Sequence, residues 1–549
     1  MIVAGGLGLE VEMTDPEIEI SMLRSDHEEA DTKVPLKDHC VHASSQHIVV
    51  SARDTDITII LLAHFDSMHC EKLWLKAGTS KKPKYIPIHE IRNTLSFEQP
   101  VLDALLAFHA ITGCDTVSYL MGHSKKTSWD VFLEHNKLLQ KIGEDSTVSE
   151  DGIRMAEAFI CRIYKVPYDK CDKGRVHLFS KCKPPESLPP TTDAPGLIRN
   201  AGFKAETHVV TTTDGYNLKL HRIPNPGKKV VFLQHGLLSS SADWVLNNAN
   251  ESLGWYHLLL RYASFFCFIL AKNQYDVWFG NFRGNTYSRS NIHYSPDDKQ
   301  FWMFSWDEMA SIDLPTMIDY VLKNTSSKSL YYVGHSMGTT TAFALFSSKP
   351  EYQKKIEMFF ALAPVATVAH MKSPIRYLAN ILPEIEVRTM MDVFGLYDFL
   401  PQSIFIEFFN NIVCKDLSQE ALCADSIFLL CGFDKAQLNE TRLPIYFAHT
   451  PAGTSTKTVI HYAQLYQSKG FTKYDFGTET NIIKYGQKTP PSYHLQNMTV
   501  PTILYYGQND WLADPKDVSF LQSNIKRALV KKHKSRLQKM GSLRFHLGN

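Results

Sequence analysis

Short apolar runs that each end at a glycine, a proline or a histidine recur through the C-terminal part of this 549-residue chain. Val230–Gln234 precedes His235-Gly236, Tyr275–Phe279 precedes Gly280, and Ser329–Val333 precedes Gly334. Met358–Ala363 precedes Pro364, and Thr502–Tyr506 precedes Gly507. These runs are continuously apolar, whereas a strand with one wet face alternates apolar and polar residues. Separated by helix-length segments, they predict a parallel sheet covered on both faces, an α/β architecture. Thr339–Ser348, directly behind the third run, predicts a helix.

The pattern breaks near Lys183–Gly196, K-P-P-E-S-L-P-P-T-T-D-A-P-G, whose proline and polar content predicts a linker. The chain thus reads as two unrelated parts, residues 1–182 and 197–549, joined by residues 183–196. Length alone gives about three or four domains as a prior.

Composition changes this picture little. Apolar residues make up 44% and charged residues 21%, as in an ordinary globular protein. A net charge of +1 argues against binding nucleic acid through bulk charge. Ten cysteines in so long a chain do not form a disulfide framework. Met1–Glu10 lacks a basic start and soon turns acidic, so no secretory leader is read there. Leu253–Ala271 imitates a membrane span, but His257 and Arg261 near its middle favour buried or interfacial packing over a transmembrane anchor.

The chemistry concentrates at Ser329–Gly338, S-L-Y-Y-V-G-H-S-M-G. An apolar strand runs into G-x-S-x-G and then into a helix, the order of a nucleophile elbow. Only residues without a Cβ fit on either side of so sharp a turn. The turn lifts the Ser336 hydroxyl above the sheet, where a base and a substrate carbonyl can both reach it.

Further motifs follow in order: T-T-D-G-Y-N-L (Thr212–Leu218), L-Q-H-G-L-L-S-S-S-A-D-W-V (Leu233–Val245) and Y-D-V-W-F-G-N-F-R-G-N-T-Y-S-R (Tyr275–Arg289). Then come Y-S-P-D, F-S-W-D-E-M, D-L-P, G-H-S-M-G-T-T, A-L-A-P-V-A, H-T-P-A-G-T-S (His449–Ser455) and N-D-W-L-A-D-P (Asn509–Pro515). Residues from about Gly196 to Val518 resemble the acid lipase family of α/β-hydrolases, which includes gastric and lysosomal lipases. The resemblance implies an α/β-hydrolase with a helical cap over about residues 370–477. It implies hydrolysis of neutral lipid esters at a lipid–water interface through a serine acyl-enzyme, without a cofactor and in a secreted or lysosomal setting.

Carried over by residue, Ser336 is the nucleophile and Asp510 orients the base, with Asp514 a nearby alternative that reads as a helix start before Pro515. The backbone amides of Leu237 and Met337 form the oxyanion hole. The family often has glutamine at the position of Met337; a backbone donor is indifferent to that change. His235 reads as a buried structural histidine. The base is open between His546, whose following leucine faintly echoes the family's histidine loop, and His533, in a basic run over Lys526–Met540 that reads as helical. The resemblance fades after Val518, and Gly254–Cys267 reads as an insertion. By resemblance Cys414 and Cys423 pair and Cys431 stays free. Sequons stand at Asn250, Asn324, Asn439 and Asn497.

The N-terminal part resembles a transposon-associated protein similar to the PIN or flap-endonuclease fold, and looks like a partial α/β domain of that kind. The resemblance rests on Glu28–Asp31, on Asp54 and Asp56, and on F-H-A-I-T-G-C-D-T with Asp115. Carboxylates gathered at strand ends are what a two-metal phosphodiesterase needs. Two other functional readings therefore stand beside the lipase: an apolar-ligand binder lacking the triad histidine, and a metal-dependent nuclease.

Overall fold

The computed structural model describes residues 47–246 apart from 52–55, 69, 80–81, 96, 114–119, 121–122, 141, 143–148, 180 and 182–187, and then residues 263–373, 397–399 and 443–534. The chain divides into two units, Met1–Lys181 with Glu186–Pro190, and Cys182–Pro185 with Thr191–Asn549.

In the first unit, β1 (His47–Ser51) pairs parallel with β2 (Lys72–Thr79), and β2 pairs antiparallel with β3 (Lys82–Pro87). Ile57, Leu61, Leu62, Leu73, Leu75 and Ile88 form the core beside this sheet. A second core, built on Phe108, Phe132 and Phe159, lies among the helices Gln99–Ile111, Lys125–His135 and Glu150–Ile163. Ser124 and Ser149 cap two of these helices, each hydroxyl accepting an amide of the first turn.

The second unit is built on β4 (Glu206–Thr211), β5 (Asn217–Ile223), β6 (Val230–Gln234), β7 (Asp276–Gly280), β8 (Leu330–His335) and β9 (Ile356–Leu362). A short pair, β10 (Asp398–Phe399) and β11 (Thr454–Ser455), stands apart from the main sheet, which is completed by β12 (Thr502–Tyr506) and β13 (Leu529–Lys534). The eight-stranded sheet has the order β13-β12-β9-β8-β6-β7-β5-β4. From β13 to β7 all neighbours are parallel; β5 and β4 join antiparallel at one edge. Every residue of β6 and β7 is buried, as the apolar runs predict, while edge strand β4 alternates half-buried with exposed positions.

Two expectations change, those on the end of the linker and on the basic run after Lys526. Ala194–Asn200 is a helix capped by Asp193, with its first five residues buried, so Ala194–Gly196 belong to the folded second unit and not to a linker. Where the expected insertion ends, Ala263–Lys272 is one continuous helix in which Cys267 and Phe268 are buried; residues 254–262 lie outside the described ones. Leu529–Lys534, expected within a helical run, is a strand, because the open edge of β12 offers a ladder of backbone partners that outweighs local helix preference. Among the described residues, no helix is long and apolar enough to cross a membrane.

Candidate active site

The strand β8 ends at His335, and the helix Met337–Ser348 begins two residues later. Ser336 between them has φ 49° and ψ −113°, a backbone conformation that costs a side-chain-bearing residue free energy and is held by its surroundings. Its amide donates to Leu362 O at 3.0 Å, and its carbonyl accepts from Thr339 N at 2.8 Å. From Tyr332 to Ser347 every residue is buried except Ser336, which is partly exposed. A strained turn has pushed one hydroxyl-bearing residue out of an otherwise closed strand and helix.

The glycines explain why the turn is possible. A Cβ on Gly334 would lie 2.7 Å from Gly338 O, and one on Gly338 would lie 2.5 Å from Gln234 O and 2.8 Å from His235 O. These are backbone atoms that cannot step aside. A Cβ on Gly236 would stand 3.2 Å from Ser336 Cβ, so the end of β6 lies directly against the serine. Leu237, the next residue, and Met337, the first residue of the helix, are therefore brought beside Ser336. Leu238 follows with φ 58°, and its carbonyl accepts from Ala452 N at 2.7 Å, which anchors this turn.

His235 is buried and fully engaged, as expected of a structural histidine. Its Nε2 accepts from Phe282 N at 3.1 Å, which leaves the proton on Nδ1 to donate to Gly236 O at 2.8 Å. Burial pushes its pKa down to about 4.

Asp510 lies four residues beyond β12 and is 1% exposed. Its Oδ1 accepts the amides of Leu512 and Ala513, each at 2.9 Å. Asp514 has the helix-start role expected of it: its Oδ1 accepts Lys516 N at 2.8 Å and Pro515 opens the helix Pro515–Asn524. His533 lies on β13, its backbone paired with Tyr505 of β12, and His546 lies outside the described residues. So do Cys414, Cys423, Cys431, Asn250, Asn439, Asp54 and Asp115; Asp56 opens the helix Asp56–His64. Among the described residues, no group of His, Cys, Asp and Glu side chains is placed to hold a metal ion.

Three features escape a reading of motifs one at a time. Asp243, within the H-G-L-L-S-S-S-A-D-W run, is buried; burial pushes its carboxyl up to about 6 against the hydroxyls of Ser239 and Thr450, and Thr450 Oγ1 donates to it at 3.0 Å. Arg283 gathers three motifs. It binds Asp313 through Nε at 2.8 Å and Nη2 at 2.6 Å, and Asp214 through Nη1 at 2.6 Å, with its guanidinium 4.0 Å above the Tyr216 ring. The third is a pair between His370 and Asp517, whose Oδ1 lies 2.7 Å from His370 Nδ1. No sequence spacing signals that last contact.

Comparison with known proteins agrees with this architecture. The family profile described as "alpha/beta hydrolase fold" matches residues 229–534, and one described as "Partial alpha/beta-hydrolase lipase region" matches residues 194–248. A gastric triacylglycerol lipase of Rattus norvegicus is 42% identical over 345 residues, 61% of this chain and 83% of that one. The lysosomal acid lipase/cholesteryl ester hydrolase of Homo sapiens is 44% identical over 338 residues, 60% of this chain and 80% of that one. Lipase lipl-1 of Caenorhabditis elegans is 43% identical over 348 residues, 61% of this chain and 82% of that one. These relatives favour neither the nuclease nor the inert-binder reading. With a serine elbow on a mostly parallel sheet and this identity across four-fifths of several lipases, the chain belongs to the acid lipase family of α/β-hydrolases.

Proposed function

We propose that this protein is a serine ester hydrolase that cleaves neutral lipid esters, triacylglycerol or cholesteryl ester, through an acyl-enzyme on Ser336. The observation that carries the reading is the strained, partly exposed Ser336 between a buried strand and a buried helix. Attack by Ser336 Oγ on the ester carbonyl puts negative charge on the carbonyl oxygen. The amides of Leu237 and Met337 stabilise that charge, which backbone donors fixed in a dry turn do without reorganising. A histidine takes the serine proton and returns it to the leaving alcohol; water then releases the fatty acid by the reverse sequence. Asp510, buried and held by two amides, keeps that histidine oriented. The base is His546 or His533, and β13 ends on the same side of the parallel sheet as β8 and β12, where active sites of such sheets form.

The relatives' gastric and lysosomal names support a secreted or lysosomal setting, to which the sequons at Asn324 and Asn497 contribute: both asparagines are exposed. For the first unit we retain the reading as a partial PIN-like α/β domain, supported by its parallel β1–β2 pair and flanking helices.

The test is fatty-acid release from emulsified triolein and cholesteryl oleate by the full chain. Ser336→Ala is expected to lower turnover by about 10³-fold or more, and of His533→Ala and His546→Ala the one with a comparable loss identifies the base. Unchanged release by Ser336→Ala would overturn the assignment.

A further inference from the structure

Residues Ala363–Ser373, which leave the end of β9, touch the serine elbow at one end and the Asp510 loop at the other. At the first end Ala363 takes φ 46°, and Val365 N donates at 2.8 Å to the Thr339 hydroxyl, which itself donates to Ser336 O at 2.6 Å. At the far end the amides of Lys372 and Ser373 donate to Trp511 O at 2.9 and 3.2 Å. Trp511 directly follows Asp510.

Two buried carboxylates on the far side of that loop are answered by the same strap. Asp514, 2% exposed, pairs through Oδ2 with Lys372 Nζ at 2.8 Å. Asp517, 3% exposed, accepts His370 N at 2.9 Å and His370 Nδ1 at 2.7 Å, one bond to each carboxylate oxygen. With Asp510 read as the triad acid, neither of these two is needed for ester chemistry. A buried carboxylate without partners is costly, and a charged one without a counter-charge more so. His370 thus satisfies an acid on the helix that follows Asp510, while its neighbours fix the residue next to Asp510. The loop is closed on itself by Asp510 Oδ1 and pinned from outside by the strap.

We propose that His370 is a positioning residue for the hydrolytic reaction: through Asp517 it fixes the loop that aims the Asp510 carboxylate, and the 363–373 strap couples that aim to the serine elbow. This rests on the reading of Asp510 as the triad acid.

The experiment uses the full chain with His370→Phe, which keeps a ring but removes its donor, and His370→Asn, which restores a donor near the Nδ1 position. Hydrogen exchange is read on peptides covering Leu512 and Ala513, whose amides bind Asp510, and on β8. Hydrolysis of a water-soluble short-chain p-nitrophenyl ester is read alongside. The expected result for His370→Phe is about tenfold faster exchange at Leu512 and Ala513 with β8 unchanged, and kcat lower by about tenfold with KM within about twofold; a small misplacement of an aiming group costs rate and not binding. His370→Asn recovers most of both. Unchanged exchange at Leu512 and Ala513, or an equal rise in β8, overturns the positioning role. Faster exchange as expected, combined with wild-type kcat in Asp510→Asn, overturns instead the assignment of Asp510 as triad acid and with it the catalytic half of the proposal.

Discussion

The amide of Val365 donates to the Thr339 hydroxyl at 2.8 Å, and both residues are buried. The same hydroxyl donates to the Ser336 carbonyl, so one side chain joins the serine elbow to the strap after β9. Thr339→Val keeps the shape and removes the oxygen. Val365 N–H would then be a buried donor without an acceptor, which costs about 1–3 kcal/mol. The elbow itself should persist, because Thr339 N and Thr340 N still donate to Ser336 O. The expected outcome is a loss of stability of that size in urea unfolding, with kcat on a soluble ester reduced by less than about tenfold. Thr339→Ser, which retains the hydroxyl, should recover most of the stability.

Arg283, at 1% exposure, is the centre of a buried charge cluster in which Asp313 is 0% exposed. Burial alone would lower its pKa, but Asp313 and Asp214 more than reverse this and keep the guanidinium charged. Arg283→Met should destabilise the second unit by about 3–5 kcal/mol, since it strands a buried carboxylate. Adding Asp313→Leu should recover part of that loss, because the stranded charge is gone. Chemical unfolding of both variants checks the sign: a double variant weaker than Arg283→Met alone would contradict the account.

That cluster also marks how far the sequence could be read. T-T-D-G-Y, N-F-R-G-N and D-L-P are visible as three separate motifs, but only the fold shows that Asp214, Arg283 and Asp313 are one ion network. The sheet was legible because strands buried on both faces are continuously apolar, and the elbow because its glycines are sterically required. β13 was not. Lys526–Met540 is rich in lysine, arginine and leucine, and nothing local says that an open edge beside β12 will recruit Leu529–Lys534. His370 and Asp517 were invisible for a related reason: 147 positions separate them, and neither lies in a motif that the chemistry of ester hydrolysis predicts.

The glycine after the nucleophile offers a sharper steric test. A Cβ on Gly338 meets two backbone oxygens of the β6 end at 2.5 and 2.8 Å, while one on Gly470 meets nothing nearer than Thr472 Cγ2 at 3.4 Å, an ordinary contact. Gly338→Ala must therefore push the helix Met337–Ser348 away from Gln234 and His235, which would pull apart the Met337 and Leu237 amides proposed as the oxyanion donors. The expected loss in kcat is about 10²-fold or more, in the range seen when an oxyanion donor is removed. Gly470→Ala should leave kcat within about twofold of the wild type. Full activity in Gly338→Ala would show that the elbow does not depend on this approach.

Three buried groups contribute to the pH dependence of stability in opposite directions. Burial holds His221 down to about 3 and His235 down to about 4. Unfolded, each titrates near 6.5, so each contributes stability that is present above about pH 6.5 and lost as pH falls toward its folded value. Asp243 is raised to about 6 from an unfolded value near 4, so its contribution is complete below about pH 4 and lost as pH rises through 6. Two histidines, each displaced further than the aspartate, outweigh it. Together these three groups are therefore expected to withdraw stability between pH 6.5 and 4, with Asp243 moderating the fall. His221→Asn, which can still bond Ser241, should make the fall shallower. Asp243→Asn should make it steeper, by up to about 2–3 kcal/mol, because each tenfold change in proton affinity on folding is worth about 1.4 kcal/mol. Urea unfolding at pH 4, 5, 6 and 7 reads all three slopes. A shallower fall in Asp243→Asn would mean that its carboxyl is charged in the folded protein, and that burial there is offset by more than the Ser239 and Thr450 hydroxyls.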